Sequence, residues 1–147
     1  MGENMFKILK NILAVAVTSS LLITSAFAGA IEDWAKGEFS LSTLSEKERI
    51  AELKWFKKAA KPFKGMSLKV VSEGIPTHVY ESKTLTKAFE EITGIKVQHQ
   101  IIGEGDVVMA VQTQMQTNVS IYDAYVNDSD LIGTHARMQQ AVNLTEW

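Results

Sequence analysis

Four consecutive polar residues, Asn127, Asp128, Ser129 and Asp130, interrupt an apolar run in "AYVNDSDLIG". Two carboxylates, an amide and a hydroxyl together could cap a helix, hold a cation or accept hydrogen bonds from ligand hydroxyls. One capping oxygen satisfies a helix start, so four exceed that need. A calcium loop fits poorly. Asp128, Asp130 and Gly133 match its first, third and sixth positions, but Ile132 and Gln139 stand where oxygen ligands are required. A second group lies in "VVSEGIPTHVYES", where Ser72, Glu73 and His78 surround Gly74 and Pro76. Glu73 directly follows an apolar stretch, so it falls where a buried strand would end. His78, His99 and His135 have no metal-ligand spacing, and His99 alternates with apolar residues as a structural histidine would. Neither G-x-S-x-G nor H-E-x-x-H occurs, and there is no Cys nucleophile. "GEGD" (103–106) lacks the Gly-Lys-Ser/Thr of a phosphate loop, and its acids would repel phosphate. It reads as a turn capped by Asp106. No metal, cofactor or catalytic residue is expected.

The elements that would position these groups follow from periodicity. Ser45 and Glu48 form a capping-box signature for a helix running to about Ala60, with Ile50, Leu53 and Phe56 as its apolar stripe and Pro62 as its stop. Residues 29–45, rich in Ser and Thr, read as an irregular lead-in. "LKVV" (68–71) is a first strand. Leu85, Ala88, Phe89 and Ile92 recur at helical spacing within 80–92, Thr77 is the expected cap, and Gly94 is a left-handed stop. In 95–101, Ile95, Val97, His99 and Ile101 alternate with Lys96, Gln98 and Gln100, as expected of an edge strand with one wet face. Val108, Val111, Gln112 and Met115 mark a helix over 106–117. "IYDAYV" (121–126) is a third strand, with Asp123 inside it holding the amides of a neighbouring loop. A short helix follows in "DLIGTHARMQQ". Strands alternating with helices predict an α/β fold: a parallel sheet of order 2-1-3 with right-handed crossovers and flanking helices. In such sheets ligands bind outside the carboxyl ends of the strands where the order reverses. Glu73 and the 127–130 loop lie at those ends.

Composition is that of an ordinary globular chain: 46% hydrophobic, 22% charged, net charge −2. No basic excess suggests nucleic acid. The first 28 residues stand apart. Lys7 and Lys10 precede a short apolar stretch, and Ala26-Phe27-Ala28 offers a cleavage site. This is the pattern of a secretory signal peptide cut after Ala28, with an apolar stretch shorter than the ~20 residues of a spanning helix. The chain has no Cys, so it has neither a disulfide framework nor a site for a lipid at the cut. A free, soluble exported protein of this kind is expected in a periplasm. The expected domains are a signal peptide (1–28), a helical extension (29–65) and an α/β region (66–147).

The stretch "AFEEITGIKVQHQIIGEGDVVMAVQTQMQTNVSIYDAYVNDSDLIGTHARMQQ" resembles the extracellular solute-binding proteins of ABC importers, the group that includes maltose-binding protein. Phe89, Glu90, Thr93, Gly94, Ile95, Lys96 and Val97 match one family signature, and Asp123 matches a strand Asp. The resemblance runs from about Met66 to Trp147. It implies that 66–147 begins the first lobe of a two-lobed binding protein. It implies that Asp130, with Asp128 beside it, binds a sugar or polyol, and that Ser72, Glu73 and His78 contribute from the first loop. "LSEKERIAELKWFKKAAKPFKGM" is similar to a subfamily that binds glycerol or small polyols. The implied partners are a permease and an ATPase of the inner membrane, and the protein is expected to be a monomer. Family members have a second lobe, so the expectation is that this chain is an N-terminal fragment. Three rivals differ in what they predict. A polyamine or other cation bound by Glu73, Asp128 and Asp130 would be released by salt. An exported glycosidase using two acids would show turnover. An inactive fragment would do neither.

Overall fold

The computed structural model describes residues 29–126 and 131–146. The expected signal peptide (1–28) and the loop Asn127, Asp128, Ser129 and Asp130 lie outside the described residues. The chain divides into two compact units, Met1–Lys61 and Pro62–Trp147. No helix of the described residues is long and apolar enough to cross a membrane.

In the first unit, residues 29–36 are helical (α1), where an irregular lead-in was expected. Ile31 and Ala35, one turn apart, are buried and give this helix its apolar side. Two such positions beside a Ser/Thr-rich stretch leave little periodicity to read. α2 spans Glu46–Ala59 and opens with the expected box. The Glu48 amide donates to the Ser45 hydroxyl, and the Glu48 carboxylate accepts the Ser45 amide at 2.8 Å. The Ser45 hydroxyl, 2.6 Å from that carboxylate, and then the Ser45 amide hold the Glu48 carboxyl below its ordinary range. Arg49 donates to the Ala35 carbonyl at 2.9 Å, tying α2 to the end of α1. Of the expected stripe, Ile50 and Leu53 are half-buried, while Phe56 is exposed beside Trp55.

The second unit is an α/β layer. β1 (Ser67–Glu73) lies at the centre of a parallel sheet of order β2-β1-β3, with β2 at Lys96–Ile102 and β3 at Ala124–Val126. The predicted 2-1-3 order is the one observed. α3 (Pro76–Tyr80) and α4 (Thr86–Thr93) run as one helical rod through a π turn at Glu81–Leu85. It starts at Ile75 with Pro76 in its first turn, so Thr77 lies inside the helix rather than capping it. α5 (Glu104–Thr117) likewise starts from Gly103, which places Asp106 in the first turn rather than at the cap. α6 spans Ile132–Met138. One core joins Val71 of β1 to Val107, Val111 and Met115 of α5 and to Leu131 before α6. Val107 was absent from the predicted stripe, yet it is fully buried.

The crossover from α4 to β2 shows why its residues are what they are. Gly94 has φ 75° and closes α4 by donating to the Glu90 carbonyl. Thr93 donates its hydroxyl to Phe89 and accepts the Ile95 amide. The Glu90 carboxylate accepts the Val97 amide at 2.8 Å. Gly94→Ala should destabilise the protein by about 1–2 kcal/mol, the cost of a Cβ in the left-handed region. Its new Cβ would also stand 3.0 Å from Lys64 Cγ, although that side chain is flexible. Urea unfolding of the two proteins side by side tests this, and an unchanged midpoint would refute it.

Candidate functional site

The carboxyl edge of the sheet is built from the ends of β1 and β3. Glu73 is the last residue of β1 and is half-buried. By alternation it shares a face with Val71, and among the described residues its carboxylate has no recorded partner. The main chain at this point is fixed. The Glu73 carbonyl accepts the Ile75 amide at 3.1 Å and the His78 Nδ1 at 3.2 Å.

Ser72 and His78 lie close to Glu73 but are turned away from solvent. Ser72 is 0% exposed, and its hydroxyl is 2.7 Å from His99 Nε2. It sits opposite Ile101 in the β1–β2 register, on the opposite face from Val71. His78 is 8% exposed. Both were expected to meet a ligand. Here both meet the protein, and Glu73 alone of the three is placed at the open edge. The pairing was not legible in the sequence because it joins residues 27 positions apart. His99, expected to be structural, is half-buried and bonds Ser72.

β3 is shorter than predicted. Residues 121 and 122 do not pair as strand because their main chain is held by a side chain instead. Gln114 of α5 accepts the amides of Ile121 and Tyr122 and donates to the Tyr122 carbonyl. Asp123 is exposed rather than inside the strand. Its carboxylate accepts the Lys69 amide at 2.8 Å, and its own amide donates to the Lys69 carbonyl. It therefore clamps β1, not a loop.

The two flanks of the 127–130 loop are anchored. Before it, the Tyr125 hydroxyl bonds His135 Nε2 of α6, with the rings 5.5 Å apart. Burial pushes the Tyr125 phenol up from its ordinary range. After it, Leu131 is fully enclosed in the core. No motif in the sequence joins Tyr125 to His135. Ten residues separate them in the chain.

His99 has a lowered pKa, chiefly through burial, with Glu81 raising it and His78 lowering it. The unfolded chain therefore binds a proton that the folded chain resists. The stability this group contributes is complete above about pH 6.5 and is lost as pH falls below it. The urea midpoint should be flat above that point and then decline, and His99→Gln should decline less. Equal declines would remove His99 as the cause.

A cleft of about 380 Å³ is lined by Lys69, Gln98, His99, Gln100, Ile121 and Tyr122 and does not include Glu73. Among the described residues no group of three His, Cys, Asp or Glu side chains could hold a metal ion. No family model, no curated protein and no solved structure matches this chain.

Proposed function

We propose that this chain is the solute-capturing component of an ABC importer. It takes up a carbohydrate or small polyol in the periplasm, with glycerol the best fit, and passes it to a permease and its ATPase. The observation that carries the reading is the strand order. Between β1 and β3 the order reverses, and open sheets of this kind bind ligands outside the strand ends at that point. Glu73, with its carboxylate unengaged by described residues, stands there. In the sequence, Asn127, Asp128, Ser129 and Asp130 follow β3 directly. The resemblance of 66–147 to importer-binding proteins supports the same reading.

The chemistry is hydrogen-bond acceptance. Carboxylates and an amide oxygen take the hydroxyl protons of a polyol, and each such buried group left unmet costs about 1–3 kcal/mol. A ligand lacking those hydroxyls is rejected on that ground. A polyamine is the competing ligand, because Glu73, Asp128 and Asp130 are three acids.

Titration calorimetry of the full chain with glycerol, then with a panel of other polyols and sugars, tests the proposal. Saturable heat that changes little with salt is expected. Heat with putrescine that vanishes at high salt would replace the polyol reading. No heat with any polyol or sugar would end it.

A further inference from the structure

The α5 face of the sheet changes character along its length. Val71 of β1 is fully buried there with Val107 and Val111. Two residues earlier, on the same face by alternation, stands Lys69, exposed on the central strand. Parallel strands are ordinarily apolar on both faces, because both are covered. The register sets Gln98 opposite Lys69 and Gln100 opposite Val71. Lys69, Gln98 and Gln100 therefore share this end of the face. With Ile121 and Tyr122 they line the cleft of about 380 Å³. Small-molecule sites occupy about 300–1,000 Å³.

The lining is held in place by bonds that leave its donors available. The main chain of Lys69 is pinned, because its amide and its carbonyl both bond Asp123. Ile121 and Tyr122 are pinned by Gln114 of α5. The Tyr122 hydroxyl donates to Gln100 Oε1 at 2.9 Å, which fixes that carboxamide and leaves its N–H groups to donate. His99 also borders the cleft, with its Nε2 bonded to Ser72. Among the described residues the Lys69 ammonium has no ion-pair partner and the Gln98 carboxamide no hydrogen-bond partner. No lining residue is acidic. The Asp123 carboxylate next to Tyr122 is spent on the Lys69 amide. What remains is a cation and amide donors beside an aromatic ring.

We infer that this cleft is a second ligand site, separate from the Glu73 edge, and that it takes a small aromatic carboxylate. The carboxylate meets the Lys69 ammonium and the N–H groups of Gln98 and Gln100. Such charge-assisted bonds are stronger than neutral ones. The ligand ring packs on Tyr122 and Ile121, as aromatic pairs do. Inorganic phosphate would leave that wall unused, and glycerol would leave the ammonium unmatched. None of this depends on the polyol function proposed above.

Benzoate is the probe, titrated into the full chain at neutral pH and followed by amide NMR. Benzyl alcohol is the uncharged control of similar shape, and acetate the control without a ring. Benzoate should saturate in the millimolar range, since a single exposed ion pair contributes modestly. The signals of Lys69, Gln98, Gln100 and Tyr122 should move, and that of Glu73 should not. Both controls should bind several-fold more weakly, and added salt should weaken benzoate. Lys69→Met should cut benzoate affinity several-fold, while Glu73→Gln should leave it unchanged. Benzyl alcohol binding as well as benzoate, or full affinity in Lys69→Met, overturns the inference. So do acetate binding as well as benzoate, shifts centred elsewhere, and a titration that never saturates. Should Lys69→Met not fold, Lys69→Gln is judged by the same standard.

Discussion

Leu131→Ala is expected to lower the free energy of unfolding by about 2–5 kcal/mol, the range for truncating a buried leucine without collapse of its site. Leu131 is the largest wholly enclosed side chain among the described residues, and it touches the cluster of Val71, Val107, Val111 and Met115. That cluster joins β1, α5 and the entry to α6, so a cavity there is felt on three elements. The substitution also has a local consequence. Leu131 fixes the chain to the core just before α6, and without it that attachment falls mainly on the Tyr125–His135 bond. Denaturant unfolding monitored by far-ultraviolet dichroism measures the global loss. A loss under about 1 kcal/mol would mean that the site closes over the missing methyls and that the enclosure of Leu131 is not tight packing.

The second large effect concerns Asp128 and Asp130. On the polyol reading, alanine at either removes an acceptor for a ligand hydroxyl. Each should then weaken glycerol binding roughly 5- to 150-fold, the equivalent of about 1–3 kcal/mol. Calorimetric titration of each variant, with its unfolding curve as control, separates loss of a contact from loss of fold. Unchanged affinity in both variants would mean that the loop is a cap and a turn, and nothing more.

Local chemistry made much of this fold legible from sequence. Ser45 and Glu48 announced α2 because a side-chain cap leaves a signature, and Gly94 announced the end of α4 because few other residues take φ 75° at so low a cost. The starts of α3 and α5 were misread for the converse reason. Ile75 and Gly103 cap with their backbones alone, while the nearby Thr77 and Asp106 offered a side-chain signal that the structure does not use. The sheet order followed from the wet face of β2, which is indeed at an edge. The length of β3 did not follow, since Ile121 and Tyr122 have strand-like side chains but give their amides to Gln114. At the candidate site, the position of Glu73 at a strand end could be read from hydropathy. Which way Ser72 and His78 turn could not. That depends on the register with β2, and register is fixed by packing between segments that are distant in the chain.

The central place of β1 shapes how the chain must assemble as it is made. Its apolar residues emerge before either partner exists. One flank stays open until residues 96–102 arrive and the other until 124–126 do. Every strand pairing here closes a long loop, which slows folding and prolongs the exposure of a sticky intermediate. Until residue 126 has been made, β1 is the segment of this unit left with an unpaired edge.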